Sequence, residues 1–387
     1  MQTTVDRAGL SRLISAAGGI ADGITAVIDD LGAQAVAAAV VGELLHRADV
    51  PAGPDVSVHL GLRHGDATIR YGLQVGSAGI AHHPVGGERE PAGVPDVSLT
   101  QDLTEVVRSL FGPRGAQSSA SRVVHWGHLE NPAAFDRPLP AYDVVRRMVD
   151  ALDRPYDVGL AELCVRYGSD KWGHHTYPRR YEQHFGPLRD QPLTILEIGV
   201  GGFGDQRRGG ASLEVWRRYF PRALVYGLDI VDKSHLGGQR VAVLQGDQSS
   251  PVDLARVVEV MGRPDIVIDD GSHVSAHLLA SFAYLFPVLR DGGLYVMEDL
   301  QTSYWPTFGG RAGTYDDPAT SLGFLKTLID GLHHEEIVGR APAATDPDIG
   351  GVHFYHNLAF IEKERNLDGG APSWIPRGVR QRTSVPD

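Results

Sequence analysis

Apolar and polar residues recur with two different periods along this chain, and the change of period divides it. Residues 20–47 carry apolar positions at helical spacing and predict a helix. Residues 56–76, VSVHLGLRHGDATIRYGLQVG, alternate with the period of a strand on both sides of His64-Gly65-Asp66, which predicts a β-hairpin turning there. SLTQDLTEVVRSLFG, residues 98–112, returns to helical spacing with Ser98 or Thr100 as its N-cap. These elements make a small α+β unit. Periodicity fades over residues 115–141, which include SASR and ENPAAFDRPLP, so a domain boundary is expected there, with Val123 to Trp126 as a short strand inside it.

Beyond residue 140 the pattern becomes a regular alternation of apolar runs and amphipathic stretches. LTILEIGV, ALVYGLDIV, VAVLQGDQ, PDIVIDDG and GGLYVMEDL read as strands, and SLEVWRRYF, PVDLARVVEVM and VSAHLLASFAYLFPVL as helices between several of them. Strands that are apolar throughout and alternate with helices imply a parallel sheet covered on both faces. GGVHFYHNLAFIEKE adds a strand or an antiparallel hairpin at the sheet edge. A chain of 387 residues exceeds one ordinary core, so two domains are expected, residues 1–140 and 141–387.

Composition narrows the classes of function. A formal net charge of −12, with no basic stripe, argues against a nucleic-acid partner. The single cysteine, Cys164, permits neither an intrachain disulfide nor a thiolate metal cluster, and fits a reducing cytoplasm. MQTTVDRAGLSRLISAAGG has no long apolar segment, and AQAVAAAVVGELL is short and broken by Gly42 and Glu43, so neither secretion nor membrane insertion is expected.

The chemistry gathers at the strand ends. LEIGVGGFGD places Gly199, Gly201 and Gly204 in the dinucleotide spacing G-x-G-x-x-G, but DQRRGGAS intervenes before the next helical stretch, whereas in that motif the third glycine opens the helix. S-adenosylmethionine fits better. Glu197 stands just before the glycine turn, where a carboxylate meets an ammonium; Asp229 ends the next strand and suits ribose hydroxyls; Asp247 and Gln248 end the third and reach toward adenine. Polar endings on successive strands trace one ligand along the carboxyl edge of an open sheet. The plainer alternative is a tight glycine turn with acids that cap helices.

Strands four and five end in Asp269-Asp270 and in Glu298-Asp299. Carboxylates brought close repel, and take up protons unless a cation stands between them, so Asp270, Glu298 and Asp299 are candidate ligands for Mg²⁺, which prefers oxygen donors. His273, in the same turn as Asp270, is a candidate general base. The structural alternatives are a sheet-end role for Asp269, an N-cap at Ser272 and a first-turn helical position for His273. Tyr304, Trp305, Phe308 and Tyr315 follow in a glycine-rich, unpatterned segment that reads as a loop or lid, whose ring faces suit a sugar on an apolar aglycone.

Together YGSDKWG, LEIGVGG, LDI, GDQ, IDDGSH and MEDLQTSYWPTFGG resemble the metal-dependent sugar O-methyltransferases of macrolide and polyketide antibiotic pathways, the mycinamicin and tylosin deoxysugar 2-O-methyltransferase group. The resemblance is strongest over residues 160–310. It implies a class I S-adenosylmethionine-dependent methyltransferase fold, Rossmann-like, with an N-terminal α+β auxiliary domain, a homotetrameric assembly, S-adenosylmethionine as donor and Mg²⁺ as cofactor. By motif it implies Asp270, Glu298 and Asp299 as metal ligands, His273 as base, and Ser169, Glu197, Gly199, Gly201, Gly202, Phe203, Ser212, Asp229, Asp247 and Gln248 in cofactor-contacting segments, while Tyr304, Trp305 and Phe308 are expected to meet substrate. Leu300 and Gln301 depart from the threonine and histidine of many relatives, which bears on substrate positioning. The expected function is methylation of a deoxysugar hydroxyl on a polyketide-type product. A metal-dependent methyltransferase of an aromatic diol and a catalytically silent cofactor-binding assembly protein are the alternatives.

Overall fold

The computed structural model describes residues 4–85, 95–127, 140–337, 339, 341–372 and 374–376. They group into two compact units, one of residues 1–193, 210–225 and 236–242, the other of residues 194–209, 226–235 and 243–387. Much of the boundary stretch expected near residue 140, residues 128–139, lies outside the described residues.

The first unit opens with α1 (Arg7–Ala16), α2 (Ala21–Leu31) and α3 (Ala33–Ala48). Residues 20–47 are therefore two helices rather than the one expected: Gly32, at φ 87, takes a backbone conformation no helix contains and turns the chain by 107°. A five-stranded sheet follows, in the order β3 (Gly79–Val85), β2 (Ala67–Gly76), β1 (Val56–His64), β4 (Val97–Asp102), β5 (Val123–Trp126). The hairpin turns where the alternation placed it, with His64 opposite Ala67 and Gly65 at φ 56. The next helix, α4 (Leu103–Phe111), starts later than expected because Ser98 and Thr100 lie within β4. Its N-cap is Asp102, whose carboxylate accepts the Thr104 amide at 2.8 Å. Helices α5 (Pro140–Asp153), α6 (Leu160–Tyr167), α7 (Pro178–Phe185) and α8 (Ala211–Tyr219) complete this unit, where the Trp216 ring packs 5.0 Å from Tyr181 and 5.6 Å from Phe185.

The second unit is built on a seven-stranded sheet in the order β11 (Ile349–Tyr355), β12 (Leu358–Lys363), β10 (Leu294–Met297), β9 (Ile266–Asp269), β6 (Thr194–Ile198), β7 (Leu224–Asp229), β8 (Val241–Gln245), with the first residues of β7 and β8 grouped in the other unit. All five apolar runs are strands. Every residue of β9 and β10 is buried, as the absence of polar alternation required. β9 pairs in parallel with both β6 and β10, while β12 runs antiparallel to β10 and to β11, so the late run is the edge hairpin. Helices α9 (Pro251–Met261), α10 (Ser275–Val288) and α11 (Ser321–Leu332) belong to this unit. Strand order reverses between β6 and β9, which makes the crevice beyond their carboxyl ends the expected place for a ligand. Among the described residues no single helix is long and apolar enough to cross a membrane.

The first unit carries a buried charge cluster. Glu43 accepts Arg47 Nε at 2.7 Å, Arg240 Nη2 at 2.6 Å and Arg217 Nη2 at 3.1 Å. Beside it His46 Nε2 stands 3.3 Å from Glu214. Burial, with the neighbouring guanidiniums, lowers His46 to about 3, so its imidazole is held neutral, and burial raises Glu214. His46 thus takes up its proton first in the unfolded chain, and stability present above the ordinary histidine range is lost as the pH falls from there toward 3. Between about pH 7.5 and about pH 5.5 the wild type is predicted to lose roughly 1.4 kcal/mol more unfolding free energy than His46→Asn, measured by urea denaturation. Equal pH dependence in the two proteins would contradict the assignment.

Candidate active site

The sheet places the predicted strand endings in one unit: Glu197, Gly199, Gly201, Gly202 and Phe203 at and after β6, Asp229 at the end of β7, Asp247 and Gln248 after β8, Asp270 and His273 after β9, and Glu298 and Asp299 after β10. Ser169 and Ser212 belong to the other unit. Ser169, buried after α6, lies with its Oγ 3.5 Å from the Lys171 amide, and Ser212 is in the first turn of α8.

The ends of β6 and β9 meet closely. Gly199, at φ 86, lies where a Cβ would fall 2.1 Å from the Asp270 carbonyl oxygen. Past it the loop is fastened to the end of β7: Asp229 accepts the Val200 amide on Oδ2 and the Val231 amide on Oδ1, both at 2.9 Å. Lys233, fully buried, lies 3.5 Å from Asp229 Oδ2 and donates to the Gly201 carbonyl. The carboxylate expected to face ribose thus also buckles the glycine loop. Lys233 escaped the sequence reading; its one available signal was a lone lysine four residues after a strand-end acid. Glu197 is fully buried within β6, whereas Phe203, at φ 47, projects completely into solvent.

After β9 and β10 the acids separate by environment. Asp269 is fully buried; it accepts Gln248 Nε2 at 3.0 Å and Tyr295 Oη at 3.1 Å, together with Ser281 Oγ. Burial pushes it up to about 6, against the pull of those three hydrogen bonds. Asp270, His273 and Asp299, each half-buried, bring one potential ligand atom apiece within 4.8 Å of one another. His273 Nε2 is 3.6 Å from Asp299 Oδ2, and Nδ1 is buried with no hydrogen-bond partner among the described residues. Glu298, the third carboxylate expected as a ligand, is buried at the end of the neighbouring strand, directly before Asp299. His273 and Asp299 both take left-handed backbone conformations, at φ 55 and 54, which aim successive side chains differently from a strand or helix. Because α10 begins only at Ser275, with Val274 in the N-cap position, Ser272 and His273 precede the helix and are neither its cap nor its first turn.

Two carboxylates and an imidazole in this spacing suit a small divalent cation or the handling of a proton beside one. The aromatic residues lie on a run of short 3₁₀ turns after β10. Tyr304 and Trp305 are exposed and Phe308 half-buried, with the Tyr304 ring 6.0 Å from Tyr315 and the Trp305 ring 6.0 Å from Phe308.

A family model described as MycE methyltransferase N-terminal matches residues 10–122. The chain is 45% identical to the 8-demethyl-8-alpha-L-rhamnosyl tetracenomycin-C 2'-O-methyltransferase of Streptomyces olivaceus over 370 residues, covering 93% of this chain and 96% of that one. It is 38% identical to the mycinamicin VI 2''-O-methyltransferase of Micromonospora griseorubida over 386 residues, covering 97% and 96%. Among solved structures, the MycE methyltransferase from the mycinamycin biosynthetic pathway in complex with Mg, SAH and mycinamycin VI aligns with a TM-score of 0.86 at 38% identity, covering 96% of this chain and 97% of that one.

The contact between the first and fourth strand ends carries its own test. Gly199→Ala forces a Cβ against the Asp270 carbonyl and a positive φ on a residue that resists it, so a loss of roughly 3 kcal/mol is predicted in chemical denaturation. Gly204→Ala, at φ 85 with open space around the Cβ position, bears only the conformational cost, roughly 1–2 kcal/mol. Equal losses would remove the steric argument.

Proposed function

Because this chain belongs to the sugar O-methyltransferases of macrolide and polyketide pathways, we propose that it methylates a hydroxyl of a deoxysugar on a glycosylated polyketide-type product, with S-adenosylmethionine as donor and Mg²⁺ as cofactor. The observation that carries this reading is the set of Asp270, His273 and Asp299 at the ends of β9 and β10, beside the point where strand order reverses. The donors fit: the two carboxylates suit a hard divalent cation, and the set holds no thiolate or thioether that would draw a soft metal. When bound, S-adenosylmethionine supplies an electrophilic methyl group and departs as S-adenosylhomocysteine, and Mg²⁺ supplies positive charge that makes a sugar hydroxyl more acidic.

The chain's own residues do the rest. Asp270, Glu298 and Asp299 would hold the cation. His273 takes the hydroxyl proton at Nε2, the ring atom that faces Asp299. The glycine loop from Gly199 to Gly202, fastened through Asp229 and Lys233, gives the donor a fixed backbone cradle. Tyr304, Trp305 and Phe308 offer ring faces for the sugar and aglycone. Residues 1–140 are the auxiliary part and residues 141–387 carry the transferase fold, and the protein assembles as a homotetramer.

The test is mass spectrometry of a panel of macrolide and aromatic polyketide glycosides incubated with the protein, S-adenosylmethionine and Mg²⁺. One added methyl on the sugar fragment, abolished by chelator, is the expected result; methylation that persists in excess chelator, or only of a free aromatic diol, would overturn the reading. For the base, His273→Ala is predicted to lower kcat by about 10²–10⁴-fold, with activity recovering as the pH rises and hydroxide replaces the imidazole. Recovery on adding excess Mg²⁺ instead would make His273 a ligand, and near-wild-type turnover at neutral pH would exclude both roles.

A further inference from the structure

We propose that Gln248 is a positioning residue for His273, acting through the backbone of Ser272 rather than by hydrogen bonding to the cofactor; the inference rests on the reading of His273 as the base. Gln248 is buried and both ends of its amide are engaged by protein. Its Nε2 donates to Asp269 Oδ1 at 3.0 Å, and its Oε1 accepts the Ser272 amide at 2.7 Å. The Asp269 carboxylate accepts only, and the Ser272 amide donates only, so the side-chain amide has one permitted sense. The fit is close, since a Cβ on Gly271 would fall 2.2 Å from Gln248 Oε1.

Asp269 is itself held from the other side. Ser281 of α10 and Tyr295 of β10 both donate to its Oδ2, and Tyr295 Oη lies 3.2 Å from Ser281 Oγ. A chain of hydrogen bonds therefore runs from a helix and a strand through Asp269 and Gln248 to Ser272, one residue before His273. On the other side of His273, Ser272 Oγ accepts the Val274 amide at 3.3 Å and pairs with His277 Nδ1 at 2.9 Å. Between these anchors His273 sits at φ 55, a conformation a non-glycine residue keeps only where its surroundings fix it. Gln248 supplies that fixation on the N-terminal side.

Four variants test this, Gln248→Glu alone being the comparator for the double variant below. Gln248→Leu removes both hydrogen bonds at similar volume. Gln248→Asn keeps the amide but is one methylene too short to span Asp269 and Ser272, and serves if the leucine variant does not fold. Gln248→Glu combined with Asp269→Asn exchanges donor and acceptor and restores the whole chain of bonds. For Gln248→Leu or Gln248→Asn, kcat at saturating donor is expected to fall by about 10–100-fold, as for a displaced catalytic group, with the calorimetric Kd for S-adenosylmethionine unchanged. The double variant regains most of that loss. A raised Kd with unchanged kcat, or a double variant no better than Gln248→Glu alone, would overturn the proposal.

Amide hydrogen exchange of residues 270–274, read by mass spectrometry on the protein alone, is expected to quicken in Gln248→Leu or Gln248→Asn and return to the wild-type rate in the double variant. Unchanged exchange in the single variant also overturns the proposal. Should the wild type methylate no glycoside, the functional reading falls by itself, while exchange still decides whether Gln248 holds the turn.

Discussion

The backbone of β6 passes so near that of β9 that no side chain fits between Gly199 and the Asp270 carbonyl, and the candidate site depends on that approach. Parallel neighbours whose order reverses leave a crevice beyond their ends, and a glycine there lets the loop after one strand lie against the turn after the next. From this contact the loop continues to Val200, tied to Asp229, and the turn continues to Ser272, tied to Gln248. One close approach thus sets the donor-side loop and the residues that would act on the acceptor within a common frame.

Electrostatics divides the labour among neighbouring acids. Asp269 and Asp270 are adjacent in sequence, yet the strand pleat sends the first into the interior, where it accepts three hydrogen bonds, and leaves the second at the edge with His273 and Asp299. The buried acid organises, and the edge acids are the ones proposed to meet ligand. Burying Asp269 is tolerable because its oxygens are met by donors; without them the cost of a buried carboxylate would be several kcal/mol. The same logic governs the unrelated cluster around Glu43, where one carboxylate answers three guanidiniums.

Much of this was readable in advance. The apolar runs gave five parallel-sheet strands, and GGVHFYHNLAFIEKE gave a strand or an antiparallel hairpin at the sheet edge, of which the structure shows the hairpin. The class I, Rossmann-like methyltransferase fold with an α+β N-terminal part was implied by the resemblance of the strand-end motifs, and the alignment with MycE bears it out. What escaped was set by single backbone conformations and by pairings across the chain. Gly32 breaks a helix that apolar spacing alone would continue, and Asp102 caps the helix whose cap was expected at Ser98 or Thr100. Likewise nothing in the spacing tells that both ends of the Gln248 amide are spoken for.

The central claim is that the edge acids hold a divalent cation, and paramagnetic resonance of Mn²⁺ titrated into the purified protein tests it without reference to any substrate. The account predicts bound Mn²⁺ in the wild type, displaced by Mg²⁺, and loss of that binding in both Asp270→Asn and Asp299→Asn while the protein remains folded. Binding of equal strength in the two variants, or none in the wild type, would contradict it.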